Sequence, residues 1–464
     1  MSYRLEKDFL GEEQIPVEAY WGIHTKRARS NFLLSTLKMP KSFIHAFAKV
    51  KKAACLANKE LGYLKEDKAK MIEAACDDVI NAKLDNQFFL DALQGGAGTS
   101  TNMNLNEVIA NRALELSGEE KGRYDLIHPL EDVNLHQSTN DTYPTAVKIT
   151  AIYSLRRLSA VITDIQQVCQ NKEKEFRHIL KVGRTELQEA VPITLGAEFS
   201  SFADAFSRDR WRTFKSEERL RMVNIGGTAV GTGITAPRSY IFLVIEKLRD
   251  ITGLGLCRGE NIIDITANGD CFVEVSGIIK AHASNFVKIA NDLRLMNLLG
   301  EIVLPQMQTG SSIMPGKVNP VILESVIQAG LKVMANDILV SESVSRSSFQ
   351  IPEFMPLLAF ALIESIEILI NTNIMFAKHI AKIKVDKKQC EFYFDKSPAI
   401  ATAFIPYIGY DKTAELLRKS KVLGKNNLRE FFVEELGCEL VDRVLLAHNL
   451  VSLGYGENNH EKNT

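Results

Sequence analysis

The sequence predicts a mainly α-helical protein with a central bundle of long helices, and three observations carry that prediction. Val275, Ile279, His282, Phe286, Ile289, Leu293 and Met296 follow one another at alternating spacings of four and three. This is a heptad seam, the pattern of a helix that buries one stripe against its neighbours. Ala359, Leu362, Ile366, Leu369, Asn373, Phe376 and Ile380 repeat it on a second segment. Strand signals, by contrast, are sparse, and the run EIVLP from Glu301 to Pro305 is the best short candidate. His282 and Asn373 are the polar members of the two seams. They read as register-setting or satisfied core groups before they read as ligands.

In chain order, residues 1–40 are mixed and carry turn signals at Leu10-Gly11, Ile15-Pro16 and Trp21-Gly22. Helical patterning runs from Lys41 to Leu93, with a break near Leu61-Gly62. A loop holding Gly95, Gly96 and Gly98 leads into a helix that ends near Leu116. In HQSTNDTYPTAVKI, Asn140 or Asp141 is expected to cap the next helix, with Pro144 in its first turn, where a missing N–H costs little. Helix is expected over 145–177 and from Ala197 to about Met222, with NIGGTAVGTGITAPRSY as loop. From about Lys388 the units shorten, with helices between Asn427 and Leu450, and residues 454–464 are polar and expected to fray. No Pro/Gly/Ser linker or internal repeat is evident.

Composition narrows the function. The chain has 464 residues, 45% apolar and 24% charged, with a net charge of −1. Length alone suggests two or three domains. The near-neutral balance argues against nucleic acid or an anionic membrane as the main partner. The window from Pro356 to Ile370 is the most apolar, but it carries Glu364 and Glu367 and reads as a buried helix. The seven cysteines are dispersed, odd in number and without a CxxC pair, which fits a reduced, cytoplasmic protein. The N-terminal residues lack the apolar core of a signal peptide. No metal-ligand spacing appears.

The richest chemistry lies in GSSIMPGKVNP, from Gly310 to Pro320. Glycines bracket Ser311 and Ser312, Lys317 adds a positive charge, and Asn319-Pro320 reads as an N-cap followed by a first helical residue. A loop feeding a helix N-terminus is an anion site, so these groups point to a carboxylate-bearing substrate.

With GAGTSTNMNLNEVIANRA, QSTNDTYPTA, GRTELQEAVPITLG and NIGGTAVGTG before it, in that order, this stretch resembles the aspartase/fumarase superfamily over nearly the whole chain. GSSIMPGKVNP is that superfamily's signature. The resemblance implies a three-domain fold, here 1–138, 139–388 and 389–464, whose long-helix bundle forms the helical core of a homotetramer. It implies active sites shared by three subunits and anti elimination of ammonia or water from a small dicarboxylate or amino-acid substrate. By the same resemblance Ser311 matches the general base. Ser312, Lys317 and Asn319 match ligands of one substrate carboxylate. Thr99, Ser138 and Thr139 match ligands of the other. Asn140 matches the contact to the leaving group, and Thr185 a further substrate contact. A serine becomes a base only where its alkoxide is stabilised, as backbone N–H donors and Lys317 would do. For Ser100, Thr101 and Asn102, helix capping is as good a reading as ligand contact. No organic cofactor is implied; activation by a divalent cation, as in some aspartases, is compatible with the resemblance.

AYWGIHTKRARSNF and STND place the chain nearer the branch that releases ammonia from L-aspartate. The alternatives are fumarate hydration, a related lyase acting on a modified aspartate, and a catalytically silent structural homologue. Three departures bear on this. Glu186 stands where the family commonly has histidine, opposite an acid matching Glu324. Two carboxylates in contact need a shared proton or a cation between them, and a substrate ammonium would serve; the alternative is that Glu186 turns outward. NLLGEIVLP, from Asn297 to Pro305, is shorter than the family's Ser-Gly-Pro-Arg loop and lacks its arginine. Ile351-Pro352 replaces a usual Leu-Asn.

Overall fold

The computed structural model describes residues 2–455; the end of the polar tail lies outside the described residues. The chain opens with the hairpin β1 (Tyr3–Asp8) and β2 (Gly11–Pro16), then helices α1 (Ile23–Asn31), α2 (Lys41–Glu60), α3 (Glu66–Ile80) and α4 (Thr99–Leu116). Next come α5 (Thr139–Phe176), the hairpin β3 (Leu180–Thr185) and β4 (Gln188–Thr194), and α6 (Leu195–Leu220). They are followed by β5 (Met222–Val223), α7 (Arg238–Thr252), β6 (Cys257–Arg258), α8 (Ile262–Ala267) and α9 (Asp270–Leu298). Then come β7 (Ile302–Val303), α10 (Val321–Ser345), α11 (Met355–Ile380) and β8 (Lys384–Val385). Six short helices close the described chain: α12 (Lys387–Lys396), α13 (Ile405–Ile408), α14 (Tyr410–Val422), α15 (Leu428–Leu436), α16 (Cys438–Val444) and α17 (Ala447–Val451). The fold is mainly α, as predicted. Among the described residues the named strands form only two-stranded sheets.

Both heptad seams are buried along their whole length, from Val275 to Met296 on α9 and from Ala359 to Ile380 on α11. Each large aliphatic side chain so placed contributes roughly 1.5–3 kcal/mol. His282 and Asn373 are fully buried within these stripes. The apolar run on α11 is mostly covered by the rest of the chain. Its two acids face cations, Glu364 at Lys332 (2.8 Å) and Glu367 at Arg157 (2.7 Å).

Several boundaries differ from expectation. The helix expected to reach Leu93 stops at Ile80. Ala82 takes a left-handed conformation (φ 62°) and Lys83 N–H closes back onto Asp78 C=O (3.0 Å), a terminus usually announced by glycine. The cap of α5 is Ser138, not Asn140 or Asp141. Its C=O accepts from Thr142 N–H (3.1 Å) and its Oγ from Asn140 N–H (3.2 Å). Pro144 therefore lies inside the helix, where it cannot donate to Asn140 C=O. Asn224 Nδ2 donates to that carbonyl instead (2.9 Å). At the signature, α10 starts at Val321, and the Asn319 side chain donates to Gly310 C=O (2.8 Å) in place of capping the helix. The EIVLP candidate is a strand of two residues, paired antiparallel with β8.

The chain divides into two compact units, each assembled from separated segments. The first comprises 1–159, 211–283 and 331–370; the second comprises 160–210, 284–330 and 371–464. In the first, Phe43, Phe47 and Tyr143 pack ring against ring at 4.8–5.7 Å, joining α2 to the start of α5. In the second, Phe206, Phe286 and Phe376 join α6, α9 and α11. The short C-terminal helices enclose their own apolar cluster, in which Phe404 stacks on Phe432 at 4.8 Å.

Candidate active site

The predicted site residues fall into two groups, one in each unit. In the first unit, the Gly95–Gly98 loop delivers Thr99 to the N-terminus of α4, where its side chain is exposed. Gly98 has φ 95°, and a Cβ there would lie 2.4 Å from the Tyr143 ring. Any side chain would therefore push the loop off a fully buried aromatic. Gly98→Ala is expected to destabilise by about 2–4 kcal/mol, from overpacking plus left-handed strain, and to displace Thr99. Chemical denaturation would measure this, and a loss below about 0.5 kcal/mol would refute the packing argument.

Thr139 and Asn102 are brought together: Asn102 Nδ2 donates to Thr139 Oγ1 (3.0 Å), leaving the threonine proton available. Thr101 is turned inward, its N–H and hydroxyl both donating to Gln94 Oε1, so it serves the loop. Asn140 Nδ2 donates to Ala229 C=O (2.7 Å). A carbonyl can only accept, so this bond fixes the amide and leaves Oδ1 as a free acceptor. Asp141, not a predicted site residue, ties the cluster together. It is fully buried and accepts from the N–H groups of Ser138, Gly226 and Thr228 at 2.9–3.1 Å. Burial pushes it up to about 6, against those donors and the charge of Lys51.

Lys51, also missed, is fully buried and donates to Asn134 Oδ1 (2.9 Å) and Gln137 Oε1 (3.0 Å). Burial pushes it down to about 7, with Asp141 pulling the other way. Between pH 7 and the ordinary lysine value the folded chain thus holds fewer protons than the unfolded one, so stability rises with pH across that window. The gain is on the order of 1 kcal/mol per pH unit. In urea titrations at stepped pH, the stability of wild type relative to Lys51→Met is expected to climb from pH 7 to 10. A flat difference would contradict the assignment.

The second group starts at the β3–β4 hairpin. Thr185 pairs with Gln188, and Glu186 and Leu187 form the turn between them, both with positive φ (53° and 63°). Glu186 is exposed and makes no hydrogen bond or ion pair among the described residues. Glu324 is half-buried in the first turn of α10. The hairpin is anchored by the preceding residues. Arg184 Nη1 and Lys181 Nζ reach Glu301 at 2.6 and 2.9 Å, and Glu301 is fully buried. Burial disfavours a charged Lys181, but Glu198 and Glu301 together raise its pKa. The segment that lacks the family's arginine thus supplies a carboxylate that holds Arg184.

In the signature loop, Ser311 Oγ accepts from the N–H groups of Ile313 (3.2 Å) and Met314 (2.9 Å). Gly310 N–H donates to Lys317 C=O (2.7 Å) and Asn319 Nδ2 to Gly310 C=O, so the stem is closed. Gly310 has no room for a side chain: a Cβ would lie 2.8 Å from Asn319 N. Ser312 and Lys317 project from the exposed part of the loop. Among the described residues no group of three His, Cys, Asp or Glu side chains could hold a metal ion.

Residues 11–335 match the family described as Lyase. The chain belongs to this family, the aspartase/fumarase superfamily. It is 44% identical to an aspartate ammonia-lyase from a Bacillus species, over 93% of each chain. Among solved structures it is similar to a fumarate lyase:delta crystallin from Brucella melitensis bound to cobalt, with TM-score 0.93 and 40% identity over 97% of this chain and 100% of that one. The class II fumarase from Schistosoma mansoni has TM-score 0.91 and 30% identity, over 97% and 99%.

Proposed function

We propose that this chain is an aspartate ammonia-lyase that converts L-aspartate reversibly to fumarate and ammonia. The observation that carries the reaction type is the pair of backbone N–H groups on Ser311 Oγ. They stabilise an alkoxide, which takes the proton from the carbon beside the side-chain carboxylate. The electron pair moves into that carboxylate as an enediolate-like dianion, held by Ser312, Lys317 and Asn319. It then returns to form the carbon–carbon double bond as the C–N bond breaks and ammonia leaves. Thr99, Ser138 and Thr139 hold the other carboxylate, and Thr185 adds a further contact.

Asn140 is the contact to the leaving group. With Nδ2 committed to Ala229, Oδ1 is left to accept from it, and either an ammonium or a hydroxyl would donate there. The 44% identity to an aspartate ammonia-lyase supports the ammonium. Glu186, with Glu324 as its neighbour across the substrate, is a second ammonium contact in this reading. Glu186→Gln is then expected to raise KM for L-aspartate about tenfold, the scale of one charge-assisted hydrogen bond. An unchanged KM and pH profile would leave Glu186 as an outward-facing surface group.

The active unit is a homotetramer whose sites combine segments of three subunits around the helical core of three-domain chains (1–138, 139–388, 389–464). Exposed Trp211, Phe214, Leu331 and Ile338 on α6 and α10 support such association. All seven cysteines are free thiols, which supports a cytoplasmic location. The deciding experiment incubates the protein separately with L-aspartate and L-malate, following fumarate absorbance and ammonia. Fumarate from malate alone would overturn the proposal in favour of hydratase activity.

A further inference from the structure

We infer that Lys51 is a positioning residue for the reaction: its buried ammonium group holds the turn that presents Ser138 and Thr139, and gives that end of the site a positive charge. The inference rests on the reading that Ser138 and Thr139 bind a substrate carboxylate. Lys51 is fully buried, and lysine is almost never buried so completely without a partner charge. Here the direct partners are neutral. Nζ donates to Asn134 Oδ1 and Gln137 Oε1 and lies 5.4 Å from the centre of the Phe47 ring. Among the described residues it makes no ion pair, and Asp141 acts on it only from beyond that range. Such contacts repay poorly the removal of an ammonium from water, so stability alone would favour an apolar side chain there.

The geometry gives the charge a use. Asn134 and Gln137 bracket the turn that runs into Ser138. The turn is closed on itself: Gln137 N–H donates to Asn134 C=O (3.0 Å) and Asn134 Nδ2 to Gln137 C=O (3.2 Å). Within it His136 has φ 61°, a left-handed conformation that a side-chain-bearing residue keeps only where its surroundings impose it. One face of α2 does so. Lys51 holds the two ends of the turn, and Asn58, seven residues further along the same face, holds its middle. Asn58 Nδ2 donates to Leu135 C=O (3.1 Å), and its Oδ1 lies 2.7 Å from His136 Nδ1.

The same ammonium reaches the substrate end through amides. Asn134 Oδ1 accepts from Lys51 and also from Asn106 Nδ2 (3.2 Å) and Asn102 Nδ2 (3.3 Å). Asn102 Nδ2 in turn donates to Thr139 Oγ1. Lys51 thus stands behind Thr139, and no carboxylate interrupts that chain of bonds. Its charge is left to act on an anion held at Thr139 through a poorly polarisable interior, where such attraction is stronger than in water.

Calorimetric titration of the full-length protein with succinate, and separately with 3-aminopropanoate, tests the role. Succinate has both carboxylates of L-aspartate; 3-aminopropanoate is L-aspartate without the one assigned to Ser138 and Thr139. Lys51→Met is expected to bind succinate about tenfold more weakly than wild type, and 3-aminopropanoate within about twofold of it. KM for L-aspartate should rise about tenfold with kcat within about threefold, because a carboxylate held throughout the reaction contributes to binding and not to the barrier. Asn58→Ala keeps the charge but loosens the same turn, and is expected to weaken succinate alone, by about threefold. It decides the question should Lys51→Met fail to fold, an unchanged succinate affinity there overturning the inference. Equal losses for both ligands in Lys51→Met, or no loss of succinate binding, would likewise overturn it. A wild type that binds succinate without turning over L-aspartate would overturn the proposed function, while a succinate-specific loss in Lys51→Met would still support the role of Lys51 at that carboxylate.

Discussion

Ser311→Ala is expected to lower kcat for L-aspartate by roughly 10²–10⁴-fold, the contribution of a positioned general base, while leaving helix content and assembly unchanged. The loss should fall on kcat and not on KM, because the proton is taken only on the way to the transition state. The backbone around residue 311 does not depend on the hydroxyl alone. Gly310 N–H on Lys317 C=O and Asn319 Nδ2 on Gly310 C=O hold the stem without it. The two N–H groups of Ile313 and Met314 would then face water in place of Oγ, a small cost on an exposed loop. Steady-state rates with circular dichroism and sedimentation in parallel would check this. A variant within about threefold of wild type would remove Ser311 from the chemistry.

Glu301→Gln is expected to have the largest effect on stability, about 3–5 kcal/mol. Glu301 is fully buried and faces Arg184 and Lys181. Removing one partner of a buried ion pair strands the other charge in a poor solvent. Lys181 retains Glu198 at 2.6 Å, but Arg184 has no other carboxylate in an ion pair among the described residues. Because Arg184 precedes Thr185 on the same strand, a loosened hairpin should also raise KM for L-aspartate with a smaller change in kcat. Glu301→Asp keeps the charge and should recover part of both. Denaturant midpoints and kinetic constants for the two variants separate this positioning role from a purely structural one. A stability change with KM unaltered in Glu301→Gln would leave Glu301 a structural residue only.

The long helices were legible because their signal is local and repeated: every third or fourth residue from Val275 to Met296 is apolar except His282. The hairpins were not. Strand pairing is a relation between distant residues, and the two-residue turn Glu186-Leu187 has positive φ at both positions without a glycine to mark it. The end of α3 was hidden in the same way by Ala82. In the site, the Ser311 loop and the residues from Ser138 to Asn140 were visible as dense polar runs. Their supports were not. Arg184 finds Glu301, and Lys51 lies near Asp141, only after folding, and single buried charges leave no pattern in a sequence. Asp141 lies within the STND run, where its position reads as a helix cap, while its partners Gly226 and Thr228 are far away in sequence.

The closed stem of the signature loop has a thermodynamic consequence. Fixing a free residue costs roughly 1–2 kcal/mol of backbone entropy, and a loop that had to be ordered by substrate would draw that from binding. Here Gly310 is already bonded to Lys317 and Asn319 before any substrate arrives. The segment between them can therefore move largely as a preformed piece, and little of the substrate's binding energy is spent on ordering it. A substitution that opens the stem should consequently make aspartate binding entropically less favourable without touching a single substrate contact.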